Sequence, residues 1–251
     1  MPRPLGVQLY SVRAELAADR DATLARIAGL GYGAVEPYDV LDRPALLRAR
    51  LGELGLAVSG AHVKALVTPG EDVDRVLDAV AEAGAPDAIV PAGIPPEDFT
   101  TREGVARAAE LLNGLAERAA AHGLRLGYHN HWWEVEPLLG GRHALEVLAD
   151  LLEPAVFLEV DTYWAAVGGA DVPTLLAGLG ERVRALHVKD GPGVREEPNV
   201  AVGSGVMRVP DVLAAAPADA WRIVEFDACA GDVFAELGAS REYLVGAGAA
   251  A

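Results

Sequence analysis

Apolar positions along the chain follow two alternating patterns. Runs of five to eight residues stand at 5–10 (LGVQLY), 34–38 (AVEPY), 57–63 (AVSGAHV), 88–93 (AIVPAG), 124–131 (LRLGYHNH), 156–161 (VFLEVD), 183–190 (VRALHVKD) and 222–227 (RIVEFD). Short apolar runs of this kind predict β-strands. Between them apolar residues recur at helical spacing, as in DATLARIAGL (21–30) and in REGVARAAELLNGLAERAAAHG (102–123), which stops at Gly123. HALEVLADLL (143–152) and DVPTLLAGLG (171–180) behave likewise, the second with Asp171 as N-cap and Gly178 and Gly180 near its end. GIPPEDF (93–99) reads as a connecting loop.

Eight strands alternating with helices, with no break in composition, point to one parallel α/β domain. Eight is the number that closes a TIM barrel. The competitor is a doubly wound open sheet, but GVQLYSVRAEL (6–16) lacks the G-x-G-x-x-G fingerprint after the first strand. The expected architecture is therefore a single (β/α)8 barrel over residues 1–246, followed by a small-residue tail at 247–251. There is no internal repeat, low-complexity run or linker.

Composition narrows the partners. At 251 residues, 51% hydrophobic and 23% charged, the chain has ample apolar surface for one large core. Lys and Arg number 21 against 37 acids, a formal charge of −16, which disfavours nucleic acid as a partner. The single cysteine, Cys229, excludes an internal disulfide framework, and its lack of an activating pair argues for packing rather than nucleophilic duty. No run is long enough for a signal peptide or a membrane span, so the expectation is a cytoplasmic protein with no membrane partner.

Candidate chemistry gathers where the strands end, the face on which barrels of this type carry their active sites. Gln8 and Tyr10 end the first strand, Glu36 the second and His62 the third. His129, Asn130, His131 and then Glu134 follow the fifth; Glu159 and Asp161 end the sixth, His187 and Lys189 the seventh, Glu225 and Asp227 the eighth. Strand alternation places Glu159 with Asp161, His187 with Lys189, and Glu225 with Asp227 on shared faces. Carboxylates converging in one mouth repel unless a cation neutralises them. Carboxylate oxygens plus imidazole form a ligand set suited to Mn²⁺, Mg²⁺, Co²⁺ or Zn²⁺. Each residue also has a plainer reading. Asp161 could be only an N-cap, His187 a satisfied core histidine, Glu134 a solvated loop acid, and Glu159 a partner of Lys189 or of a ligating histidine. His122 and His143, at helix ends, read as surface residues.

GVQLYSVR (6–13), GYGAVE (31–36), YHNHWWE (128–134), LEVDTYWAAVGGAD (158–171), HVKDG (187–191) and VEFD (224–227) together resemble the xylose-isomerase-like TIM barrels, the sugar phosphate isomerase/epimerase family, over nearly the whole chain. The resemblance implies one divalent metal ion held by a Glu, an Asp, a His and a second Glu. Asp161, His187 and Glu225 match the last three positions. Many relatives read Glu-x-His at the first, where this chain reads HNH (129–131), so His129 stands in the place of the Glu. The fourth ligand is then His129 or Glu134; the subgroup with HNHxxE keeps that Glu, which favours Glu134. GSGVMR (203–208) also departs from the relatives' G-E-G-x-x-D, which leaves substrate identity open.

The implied activity is a metal-dependent isomerase or epimerase of a sugar, keto-sugar or related polyol, working by proton abstraction next to a carbonyl and an enediolate stabilised by the ion. Glu134 and Glu225 are the candidates for proton transfer, His131 a further acid/base, and Lys189 a group that polarises substrate oxygen. Gln8, Glu36, His62 and His129 are expected to bind hydroxyls, and Trp133, Tyr163 and Trp164 to stack on a sugar ring. No basic cluster marks a phosphate site, so a neutral or keto sugar fits better. The alternative is a lyase, either an inosose dehydratase type or one acting on 3-keto-glycosides; a non-catalytic sugar-binding barrel and an abasic-site endonuclease fit less well. The resemblance also implies pairing into a homodimer, as family members often show.

Overall fold

A computed structural model describes residues 3–249. Nine strand segments alternate with helices: β1 (Gly6–Gln8), β2 (Ala34–Glu36), β3 (Ala57–Val58), β4 (Ala61–His62), β5 (Asp87–Val90), β6 (Arg125–His129), β7 (Val156–Asp161), β8 (Val183–Val188) and β9 (Trp221–Val224). All neighbours pair in parallel, in the order β3-β2-β1-β9-β8-β7-β6-β5-β4. The two ends of that order, β3 and β4, are consecutive pieces of one stretch of chain. The sheet thus curls into a TIM barrel of eight staves, closed through the third.

The third stave differs from the continuous strand expected at 57–63. It breaks at Ser59 and Gly60, where a side chain on Gly60 would meet the Ile89 side chain at 2.7 Å. β3 bonds to β2 and β4 to β5, while Ser59 N–H still reaches Val35 O and His62 N–H reaches Pro37 O. β7 fills its whole run, while the remaining strands stop short of theirs, because their last residues turn into the loops at the mouth. The loop expected at 93–99 winds into a 3₁₀ turn over Pro96–Thr100.

Outward-facing strand residues such as Val7, Val35, Leu126, Val160, Leu186 and Val224 form the main core against the helices. The helix at Arg102–Ala121 starts on a Thr101 cap that accepts from Gly104 N–H and gives way to Gly123 in the left-handed region, φ 73°. Asp171 caps Val172–Leu179 through Thr174 N–H. His122, expected at the surface, is instead half-buried between Asp78 (2.8 Å) and Asp74 (3.2 Å) of the neighbouring helix. His143 is likewise half-buried, pairing with Val135 O while Glu146 accepts its N–H. At the chain end Ala249 packs inward, donating to Leu244 O. Residues 250–251 of the small-residue tail lie outside the described residues. Among the described residues no helix is long and apolar enough to cross a membrane.

Inside the barrel, Ala34, Ala185, Trp221 and Ile223 form a separate small apolar layer beneath the polar mouth. Gly127 makes room for Phe157, its register partner on β7: a Cβ there would meet the Phe157 ring at 2.5 Å. Gly127→Ala should therefore overpack the barrel interior and lower unfolding free energy by about 1–3 kcal/mol in urea titration. The His122 contacts carry a pH signature. The hydrogen bond to Asp78, and then that to Asp74, raise its pKa above the ordinary 6.5. A raised folded-state pKa contributes stability below the unfolded value and loses it as pH rises through the folded one. Proton NMR should find His122 titrating above 6.5, and His122→Gln should destabilise the protein more at pH 6 than at pH 8.

Candidate active site

Seven strands and their loops deliver the polar residues of the mouth. His187 on β8 stands at the centre, fully buried, with Nδ1 at 2.7 Å from Glu225 Oε2 and Nε2 at 2.6 Å from Glu36 Oε2 and 3.1 Å from Glu159 Oε1. Gln8 donates to the same Glu36 oxygen at 2.8 Å, which fixes that carboxylate from β1. Glu159 Oε1 also meets His62 Nε2 at 2.5 Å and His129 Nδ1 at 3.2 Å. Glu159 is therefore the partner of three imidazoles and not of Lys189. The Lys189 ammonium lies instead 2.7 Å from Asp161 Oδ2, 2.6 Å from Glu225 Oε2 and 2.7 Å from Asp227 Oδ2.

Asp161 has two jobs. Its Oδ1 caps the following helix, Thr162–Val167, accepting from Trp164 N–H at 2.8 Å, and its Oδ2 is turned toward the site. Glu134 points elsewhere. It accepts from Tyr128 OH at 2.6 Å and from His131 N–H at 2.8 Å, tying the HNHWWE loop to its own strand. The four residues whose donor atoms all lie within 4.8 Å of one another are His129, Asp161, His187 and Glu225; His62, His129, Glu159 and His187 form a second, overlapping group. Glu134 is in neither.

Charge makes the case for a cation. Glu36 Oε1 and Glu159 Oε2 are buried without a hydrogen-bond donor, and Asp161 Oδ2 is paired with the Lys189 ammonium. Unpaired buried carboxylate oxygens are costly, and a divalent ion is the chemical group that suits such a nitrogen–oxygen set. Burial, then the neighbouring Glu159 charge, pushes Glu36 up to about 7. Burial alone does most of the same for Asp161, to about 6, and for Glu134, to about 7. Burial also opposes charge on His187 and Lys189, but the surrounding carboxylates outweigh it and hold both well above their ordinary values. His62 is pushed down to about 4 and His131 to about 3, in each case chiefly by burial.

A cavity of about 330 Å³ opens above these groups, lined by Tyr10, Tyr38, His62, Lys64, Pro91, Ala92, His129, His131, Glu225 and Asp227. His131 stacks flat on Trp133, centroids 4.1 Å apart, and its Nδ1 has no protein partner. Trp164 and Tyr163 are buried beneath the rim rather than on the cavity wall. The Lys189 ammonium lies over the Trp164 ring, 5.6 Å from its centre, and Tyr163 OH bridges Gly193 N–H and Val194 O. Tyr38 and Lys64 were not among the sequence candidates. Each lies two residues beyond one, Glu36 and His62, and continues that residue's face into the loop.

The long loop after β8 is fastened by one carboxylate. Fully buried Asp190 accepts from Gly191, Gly203, Gly205 and Met207 N–H at 2.9–3.1 Å. A side chain at Gly205 would run into Asp190 at 2.2 Å, so only glycine fits there. Through Gly193, Val194 and Arg195, which lies over Trp132, this loop braces the aromatic side of the mouth. Asp190→Ala orphans those donors, at roughly 1–3 kcal/mol for each group left buried. The expected result is rapid proteolytic cleavage between 191 and 208 while the barrel stays intact.

Known proteins place this architecture. The sequence profile of the xylose isomerase-like TIM barrel family matches residues 24–228. An inosose dehydratase of Geobacillus kaustophilus is 27% identical over 195 residues, 68% of this chain and 62% of that protein. A ketose 3-epimerase of Arthrobacter globiformis is 27% identical over 157 residues, 56% of this chain and 54% of that protein. The chain thus spans less than two-thirds of the length of either. The crystal structure of a sugar phosphate isomerase/epimerase from Parabacteroides distasonis superposes with a TM-score of 0.81 at 23% identity, over 97% of this chain and 94% of that one, a likeness of fold.

Proposed function

The chain belongs to the xylose isomerase-like TIM barrel family, and from that premise we propose that it is a divalent-metal-dependent isomerase or epimerase of a keto-sugar or related polyol. The observation that carries this reading is the buried donor set His129, Asp161, His187 and Glu225 beside a cavity into which an unpartnered imidazole, His131, is turned. Those four residues would hold the ion, with His129 in place of Glu134, whose oxygens are taken by Tyr128 and the loop backbone. Bound there, a divalent ion supplies a Lewis acid that polarises a substrate carbonyl and compensates charge developing on its oxygen.

The chain's own groups supply the rest. His131 lines the cavity with its ring plane fixed by stacking on Trp133, and it is the group assigned to take a proton from the substrate. It takes the proton adjacent to the carbonyl and returns it to the neighbouring carbon for isomerisation; for epimerisation a second group, Glu225 on the cavity wall, gives a proton to the opposite face of the same carbon while His131 keeps the one it took. Asp227, with the Lys189 ammonium 2.7 Å behind it, is the group at the cavity wall for substrate hydroxyls, and Tyr10, Tyr38 and Lys64 line the cavity beside it. Glu134 orients the His131 loop instead of moving protons. The small volume and the acids in the wall favour an unphosphorylated substrate. A second reading, dehydration, is supported by the match to an inosose dehydratase. In it His131 delivers the abstracted proton to a departing β-hydroxyl, releasing water.

The test is metal content and solvent exchange together. Chelator-stripped protein should take up one equivalent of Mn²⁺, and His187→Ala, Asp161→Ala and His129→Ala should each lose most of it, whereas Glu134→Gln should retain it. The loaded wild type should exchange solvent deuterium into a ketohexose, and His131→Ala should slow exchange by about 10²–10⁴-fold. Retention of Mn²⁺ by His129→Ala with loss in Glu134→Gln would move the fourth ligand to the loop. Failure of every variant and the wild type to bind any divalent ion would remove the metal-dependent reading.

A further inference from the structure

Lys189 is buried to 1% exposure and touches three carboxylates, two of which are in the proposed ligand set. Its contacts are not equivalent. It donates to Asp227 Oδ2 at 2.7 Å and pairs with Asp161 and Glu225, both buried, at 2.7 and 2.6 Å. Asp227 is the most exposed of the three, its side chain 36% accessible, and it lines the cavity. The ammonium is thus shared between one outer carboxylate at the cavity wall and two inner ones.

A divalent ion bound by Asp161 and Glu225 would meet this ammonium as a like charge at ion-pair distance. We propose that Lys189 is an internal stand-in for the ion: without the ion its ammonium neutralises Asp161 and Glu225, and on loading it is pushed off both and keeps only its existing bond to Asp227, at the cavity wall. The inference rests on the metal-dependent reading above. Two consequences follow from competition for the same oxygens. Ion affinity is lower than the ligand set alone would give, because binding must displace the lysine. The displaced ammonium is left on Asp227 at the cavity wall, so loading presents a positive charge to substrate oxygens that the metal-free site keeps against its own acids.

Isothermal titration of chelator-stripped full-length protein with Mn²⁺ tests this through binding alone. Lys189→Met should tighten Mn²⁺ binding by about tenfold or more, since one like charge is removed at close range. The same variant should lower the melting temperature of the metal-free protein and enlarge the rise produced by Mn²⁺. Asp227→Asn removes the one bond the lysine keeps, so it should weaken Mn²⁺ binding in the wild-type background and have little effect in the Lys189→Met background. General loss of negative charge would weaken binding equally in both backgrounds, and that result would overturn the proposal. So would Lys189→Met protein that binds Mn²⁺ no tighter than wild type, and in that case the metal reading itself stands. If Lys189→Met folds only when Mn²⁺ is present, the stand-in role is supported; if Mn²⁺ does not rescue it, the role is lost. Absence of Mn²⁺ binding in both wild type and variant would remove the two readings together.

Discussion

The mouth of this barrel is governed by the cost of burying negative charge. Glu36, Glu159 and Asp161 are fully inaccessible and Glu225 nearly so, all converging on His187 and Lys189. Removed from water, such carboxylates are stable only where cations or hydrogen-bond donors reach them. The eight-stave barrel supplies the required convergence, since each strand brings one or two side chains inward at a fixed height. Residues as far apart in sequence as Glu36 and His187 meet at 2.6 Å for that reason. The apolar shell between strands and helices offsets the unfavourable electrostatics of the mouth and keeps the donors from spreading apart.

Within that constraint, acids of the same type do different work according to what reaches them. Asp190, fully supplied with backbone N–H groups, is a fastener for the loop that follows β8. Glu134 is similarly committed, to Tyr128 and the His131 backbone. Asp161 is divided, one oxygen capping a helix and the other facing the site. Glu36 and Glu159 keep an oxygen without a donor, which leaves them the groups most responsive to any added cation. Rigidity at the mouth comes from the satisfied acids, and the capacity to answer an added charge from the unsatisfied ones.

This division explains what the sequence could disclose. Strands buried on both faces produce apolar runs that stand out, so all eight staves were legible. Apart from β7, their outer ends were not, because the polar site residues continue the strand pattern after the chain has left the ladder. The break at Ser59 and Gly60 depends on the crowding side chain of Ile89, a residue about thirty positions away that no local pattern names. Alternation along one strand was enough to pair Glu159 with Asp161 and His187 with Lys189. It could not decide between His129 and Glu134, because that depends on how the HNHWWE loop curls back onto Tyr128. Nor could it foresee that Glu159 would face imidazoles and Lys189 the other acids, since that partition is set by three strands meeting in space. Tyr38 and Lys64 carried a signal, two positions after named candidates, but only the closed barrel turns that spacing into a cavity wall.

A site neutralised in part by its own lysine behaves unlike a structural metal centre. In small zinc domains the ion is the core, and its removal unfolds the chain. Here the barrel has a continuous apolar core of its own, and the ammonium of Lys189 already satisfies part of the charge that an ion would otherwise have to meet. Folding does not wait for an ion: the barrel has an internal cation to assemble around, and in the metal-dependent reading proposed above the ligand set would be in position before any ion arrives. In that reading the undersatisfied groups serve chemistry rather than stability, and His131, whose Nδ1 has no protein partner, is the one that lines the cavity.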